Sequence, residues 1–291
     1  MKSLLLLSGK GGTGKTTTAS AFIRFSNAQA MADCDVDAPN LHLIYPFEKE
    51  PIISDFYGSP KYEIVLEACT RCGACASVCR FDAIEQHEDG SYVCNPYFCE
   101  GCGVCAYACP SDAIFSKEDV AGTLSVSSSS PVFSTATLKM GRGNSGKLVT
   151  AVKQNLQKHV SNEMPLAILD GSPGTGCPVI ASVTGVDFVL FVAEPSKSGL
   201  HDLKRVCQTV DNFATPFAVC INKYDVSLDG TKEIEAFCKE NSIACLGKIP
   251  YDKTVSQAIN EGKSIADYAC PARTALQSIF EKTMDLMEVE R

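Results

Sequence analysis

A chain of 291 residues, 45% of them hydrophobic, is long enough for one large α/β core and a small additional unit. Its formal charge of −8 and pI near 5.1 supply no basic stripe for nucleic-acid phosphates, so nucleic acid is not an expected partner. Sixteen cysteines far exceed ordinary usage in a reducing compartment, where clustered thiols point to metal rather than to disulfides.

Residues 2–7 contain the run Leu4–Leu7 and read as a buried parallel strand, too short for a signal-peptide core or a membrane span. The glycine-rich stretch SGKGGTGKTT (8–17) follows, then a helix over 15–25. Residues 9–16 fit G-x-x-x-x-G-K-S/T in the strand–loop–helix context that this motif requires. Gly11, Gly12, Thr13 and Gly14 let successive backbone N–H groups face a polyphosphate, and the helix N-terminus at Lys15, Thr16 and Thr17 adds partial positive charge. Lys15 is positioned for the β- and γ-phosphates and the Thr16 hydroxyl for Mg²⁺, so ATP and Mg²⁺ are the expected ligands.

A second strand is expected at 29–33 and an apolar pattern at 41–44, before a looser Pro-bearing stretch at 46–60. Residues 59–118 form a cysteine-dense block between two host segments, 1–58 and 119–291. Residues 121–150 are rich in Gly and Ser, and the α/β rhythm is expected to resume after them. The run GRGNSGK at its end lacks full phosphate-loop spacing and reads as a helix start capped by Asn144 or Ser145. Strands are then expected at 166–169, 188–193, 217–221 and 244–249, with helices at 201–213 and 232–240 and an amphipathic, acidic helix at 274–291. This alternation predicts a doubly wound, mostly parallel sheet whose two host halves share one core. With no membrane-surface helix of the usual basic kind, the expected location is the cytoplasm.

The cysteine block contains a duplication. An offset of thirty residues aligns CTRCGACASVCRFDAI (69–84) with CEGCGVCAYACPSDAI (99–114), with nine of sixteen positions identical. Cys69, Cys72, Cys75 and Cys79 have C-x2-C-x2-C-x3-C spacing, and so do Cys99, Cys102, Cys105 and Cys109. Zinc would be served by two separated pairs and does not need this repeated quartet. The spacing resembles the run of bacterial two-cluster ferredoxins, in which the fourth cysteine of each run ligates the other cluster. That resemblance implies two 4Fe–4S clusters, one on Cys69, Cys72, Cys75 and Cys109, the other on Cys99, Cys102, Cys105 and Cys79. Arg80 replaces the usual proline after the first run and reads as a solvated or partner-facing side chain. Cys94 lies outside the quartets and is expected to have no ligand role. The remaining scattered cysteines read as small buried hydrophobes.

GKGGTGKT resembles the deviant phosphate loop of the MinD, ParA, Mrp and nitrogenase iron-protein superfamily. The resemblance extends to DCDVDAPN (33–40), DGSPGTG (170–176) and INKYD (221–225). It implies that Lys10 crosses a dimer interface to the partner's nucleotide, that Asp35 positions the attacking water, that Asp170 holds Mg²⁺ through water, and that Asn222 reads the adenine edge. The whole chain resembles the superfamily members that carry an inserted ferredoxin-like α+β domain. This implies an Mg²⁺-dependent ATPase, slow or partner-activated, working as a homodimer or as a heterodimer with a related ATPase.

Three functions follow. The first is an ATP-gated electron carrier acting on a redox partner. The second is an ATPase that assembles clusters or delivers them to a metal–sulfur-cluster acceptor, as Mrp-type relatives do. The third is a positioning ATPase with structural clusters. The missing basic C-terminal helix disfavours the third. The absence of an isolated C-x-x-C near the C-terminus disfavours the second, so electron transfer leads on sequence alone.

Overall fold

The computed structural model describes residues 1–127, 129–161 and 164–288. Strand β1 (Lys2–Leu7) leads into α1 (Lys15–Ser26) and β2 (Ala30–Asp33). The expected apolar pattern at 41–44 is a short 3-10 turn, Leu41–Leu43, followed by β3 (Ile52–Tyr57). The cysteine-rich segment carries β4 (Lys61–Ile64), α2 (Ala74–Val78), β5 (Ile84–Gln86), β6 (Tyr92–Cys94), α3 (Val104–Tyr107) and β7 (Ile114–Lys117). Then come β8 (Val120–Val126), β9 (Val132–Leu138), α4 (Ser145–His159), β10 (Leu166–Asp170), α5 (Cys177–Val183) and β11 (Phe188–Ala193). The chain closes with α6 (Lys197–Asp211), β12 (Phe217–Asn222), α7 (Leu228–Glu240), β13 (Ala244–Ile249), α8 (Lys253–Asn260) and α9 (Pro271–Met287). The helix expected at 274–291 thus starts three residues earlier, and residues 289–291 lie outside the described residues.

One sheet organises the host, in the order β13-β12-β11-β1-β10-β2-β9-β8-β3. Pairing is parallel from β13 to β9, and β8 and β3 join antiparallel. Leu4, Leu5, Leu6 and Leu7 are all fully buried because β1 is central and covered on both faces. Alternation sends Leu5 and Leu7 to the face covered by α4, α5, α6 and α7, and Leu4 and Leu6 to the face covered by α1, α8 and α9. At roughly 1.5–3 kcal/mol per buried leucine, this strand is a major anchor of both cores.

Two expectations change here. The α/β pattern does not wait until after 150, because the Gly/Ser-rich stretch 121–150 contains most of β8 and all of β9. Its small residues are required there: a Cβ on Gly122 would stand 2.6 Å from the Thr137 carbonyl oxygen. Helix α4 does begin at Ser145, but neither expected side chain caps it. Asn144 is left-handed (φ 74) and its Oδ1 accepts instead from the Ser59 hydroxyl at 2.9 Å.

The cysteine-rich segment hangs from the β3–β8 pair. Tyr57 pairs with Val120, and the Gly58 N–H donates to the Asp119 carbonyl at 3.1 Å, so the chain leaves and re-enters the host at one point. Within the segment the thirty-residue repeat reappears in space. Strands β4 and β7 pair through Ile64 and Ile114, and β6 and β5 through Cys94 and Ile84. Asp82 and Asp112 share a left-handed turn (φ 51 and 49), as do Gly73 and Gly103 (φ 74 and 78). The halves interlock: a Cβ on Gly73 would meet the Tyr92 hydroxyl at 2.8 Å, and one on Gly103 the Tyr62 hydroxyl at 2.7 Å.

Candidate functional site

The carboxyl ends of β1, β10 and β2 lie side by side, with Leu6 opposite Asp170 and Asp170 opposite Asp33. Strand order reverses here, the place where open α/β sheets bind ligands. Three loops meet at these ends. The Gly174 N–H donates to the Ser8 carbonyl (3.0 Å), the Ser172 hydroxyl to the Cys34 carbonyl (2.7 Å), and the Cys34 N–H to the Asp170 carbonyl (2.7 Å).

Lys15 and Thr16, at the start of α1, both reach Asp170. The ammonium is 2.7 Å from Oδ1 and the Thr16 hydroxyl donates to Oδ2 at 2.5 Å. Burial opposes the charge of Lys15, but Asp170, with Asp35 and Asp33 beyond it, outweighs burial and raises its pKa. Asp33 is fully buried and accepts the N–H groups of Asp35, Asn40 and Leu41. Burial, then the neighbouring Asp170, pushes its pKa up to about 7 against those donors. Asp33 therefore shapes the 33–41 loop from beneath. Asp35 is half-buried; burial raises its pKa, Lys15 opposes and Asp170 raises it further.

The phosphate loop is open where a ligand needs it open. No atom lies within 4 Å of a Cβ built on Gly11 or Gly12. Thr13 Oγ1 is buried without a hydrogen-bond partner, an orphan polar atom inside the loop. Gly14 must be glycine twice over: its φ is 94°, and a Cβ would lie 2.3 Å from Asn222 Nδ2. Asn222 donates to the Thr13 carbonyl at 2.7 Å and accepts the Lys223 N–H, so its amide braces the loop. Lys10 lies over its own subunit, 3.7 Å from Glu194 and 3.3 Å from the Ser196 hydroxyl, two contacts that no sequence pattern signals. Thr17 sits half-buried in the first turn of α1.

The cysteines gather into two sets. Cys69, Cys72, Cys75 and Cys109 line one small solvent-open cavity. Cys79, Cys99, Cys102 and Cys105 line a second, together with Cys94. Each cavity therefore draws three cysteines from one run and the fourth from the other. Among the described residues, no three His, Cys, Asp or Glu side chains converge as ligands of a single metal ion would. Backbone N–H groups point at the fourth thiol of each run: Ala83 to Cys79 Sγ at 3.4 Å and Ala113 to Cys109 Sγ at 3.3 Å. Arg80 is exposed, as expected. No helix among the described residues is long and apolar enough to cross a membrane.

Residues 4–265 match the family model described as the CobQ/CobB/MinD/ParA nucleotide-binding domain. The chain belongs to this family. Within this nucleotide-binding family, it is 34% identical over 288 residues to an uncharacterised protein of Methanocaldococcus jannaschii, covering 98% of this chain and 97% of the relative. It is 23% identical to an iron–sulfur cluster carrier protein of Pyrococcus abyssi, covering 97% of this chain and 85% of that one. The septum site-determining protein MinD of Pyrococcus horikoshii, solved with Mg-ADP, superposes with a TM-score of 0.60 at 16% identity, covering 98% and 96% of the two chains. That likeness establishes a shared MinD-type P-loop α/β fold.

Proposed function

We propose that this chain is an Mg²⁺-dependent ATPase that handles iron–sulfur clusters, with nucleotide state governing their delivery to an acceptor protein. Residues 59–118 act as an inserted two-cluster ferredoxin-like domain on the ATPase formed by 1–58 and 119–291. The observation that carries the reading is the partition of the cysteines into two interleaved quartets, each around its own cavity. A cubane needs thiolates spread round a void rather than converged on a point. The carrier function named for relatives at 22–27% identity favours delivery over the electron-transfer reading that leads on sequence alone.

At the nucleotide site, backbone N–H groups of Gly11 to Thr17 wrap the phosphates and Lys15 neutralises them. The orphan Thr13 hydroxyl and the Thr16–Asp170 pair suit a polyphosphate with Mg²⁺. Asp35 orients the attacking water. Lys10 leaves Glu194 and Ser196 to reach the nucleotide of a second subunit, identical or related. Asn222 faces the base while its amide braces Thr13.

A physical route joins the two sites. Arg142 binds the Asp119 carboxylate at 3.0 Å at the neck of the insert, donates to the Pro96 carbonyl at 3.2 Å, and lies over the Tyr97 ring. Helix α4 starts three residues later and packs against the N-terminus of α5, which the 170–176 loop feeds. Coupling through such a route is typically about 1–3 kcal/mol.

Electron transfer is the second reading, favoured by a full quartet of run cysteines at each cavity, a ligand set that needs no exogenous thiol. Anaerobic reconstitution followed by incubation with an apo-acceptor separates the two. Iron and sulfide appearing on the acceptor with Mg-ATP supports delivery, whereas reduction of a partner with iron retained supports electron transfer. Absence of iron beyond trace in reconstituted protein refutes both.

A further inference from the structure

The two cysteine cavities are not equivalent. Cys99 is the repeat counterpart of Cys69, and Cys94 is the counterpart of Ile64. Ile64 and Cys94 occupy matching places, each the last residue of its strand, paired with Ile114 and Ile84. Each lines its own cavity, so one wall is aliphatic at the first site and a thiol at the second. Cys94 is buried and packs in one cluster with Cys99, beside Cys79. The second cavity therefore holds five cysteines and the first four. Cys94, outside the quartets by its spacing, thus lines the second cavity beside them.

We propose that Cys94 is a reserve ligand of the second cluster site, able to replace Cys99 at the same iron. The inference rests on the reading of the two cavities as cluster sites. The exchange balances without an oxidant or reductant: the iron–sulfur bond to Cys99 breaks, that to Cys94 forms, and the Cys94 proton passes to the Cys99 thiolate. Their contact provides the path for that proton. The first site has no such exchange, because Ile64 offers no ligand. The second site is thereby the labile one, from which a thiol-bearing apo-protein draws its cluster, and the first is the fixed one.

The test uses the full chain reconstituted anaerobically with iron and sulfide. Wild type is expected to hold about eight iron atoms, as two 4Fe–4S clusters require; a wild type without iron refutes the cluster reading itself. Cys99→Ala is expected to keep about eight, because Cys94 takes over, and Cys94→Ala/Cys99→Ala to keep about four. Cys69→Ala, with no reserve, is expected to keep about four. A Cys99→Ala protein as depleted as the double variant overturns the proposal. Cys94→Ile, which copies Ile64 and leaves every quartet cysteine intact, supplies a readout independent of losing a main ligand. Iron release to a chelator is expected to be biphasic in wild type and to lose its fast phase in this variant; an unchanged profile overturns the proposal as well.

Discussion

Gly146 backs directly onto Cys177: a Cβ at Gly146 would stand 3.1 Å from both the Cβ and the carbonyl oxygen of Cys177. Gly146 lies in the first turn of α4, and Cys177 opens α5 at the end of the Asp170 loop. On the proposed reading, a shift of that loop is expected to reach α4 and, through Arg142, the neck of the cysteine-rich segment.

Gly146→Ala is expected to force these helices apart. Overpacking of this kind costs about 1–3 kcal/mol. Urea denaturation should show the loss, and a variant as stable as wild type would mean that the contact yields freely.

Arg142→Ala is expected to leave ATP affinity and iron content unchanged while removing the effect of Mg-ATP on iron release. Its contacts with Pro96 and Tyr97 join the insert to the host, and its ion pair with Asp119 holds it at the neck, without touching the phosphate loop. Persistence of the full ATP effect in the variant would place the coupling elsewhere.

Lys15→Ala is expected to lower ATP turnover about 100-fold or more, the scale for loss of one preorganised charge-stabilising group. It also leaves Asp170 buried without its cation, so circular dichroism should accompany the ATPase assay.

Asn222→Ala separates two roles. If bracing of Thr13 dominates, affinities for ATP and GTP fall together, by several-fold for the loss of about 1 kcal/mol of hydrogen bond. If base recognition dominates, the ATP-to-GTP preference collapses while GTP affinity holds. The 2.7 Å bond to the Thr13 carbonyl predicts the first outcome.

A pH dependence is expected outside both sites. The neighbouring Cys238 thiol, against burial, lowers the pKa of the exposed Cys245 to about 7. The thiolate is the reactive form, so alkylation of Cys245 by iodoacetamide should rise through a midpoint near pH 7 and slow below it. Cys238→Ala should move that midpoint upward. Mass-spectrometric labelling across pH 5–9 reads both; a Cys245 midpoint unmoved by the substitution would contradict the assignment.

Much of this architecture was legible before any coordinates. Strands buried on both faces announce themselves as continuous apolar runs, and β11 falls at its expected bounds; so does the edge strand β13, of which only Leu246 and Ile249 are buried. The cysteine spacing anticipated two sets that trade a member, and the cavities group the thiols in that way. Strands β8 and β9 escaped because serine and glycine in VAGTLSV and VFSTATL mask alternation, and burial there is set by close backbone approach at Gly122 rather than by large side chains. Tertiary neighbours were beyond reach: Glu194 beside Lys10, Cys238 beside Cys245, and Cys94 across from Cys79 meet only after distant elements pack.

The central claim is that occupancy of the phosphate loop changes how the cysteine-rich unit handles iron. The most direct measurement is the rate of iron transfer from anaerobically reconstituted protein to an apo-acceptor, with and without Mg-ATP, in wild type and Lys15→Ala. The account predicts a change of about 5- to 150-fold on adding Mg-ATP to wild type, matching the usual range of coupling between sites, and none in the variant. Equal rates in wild type with and without Mg-ATP would contradict it.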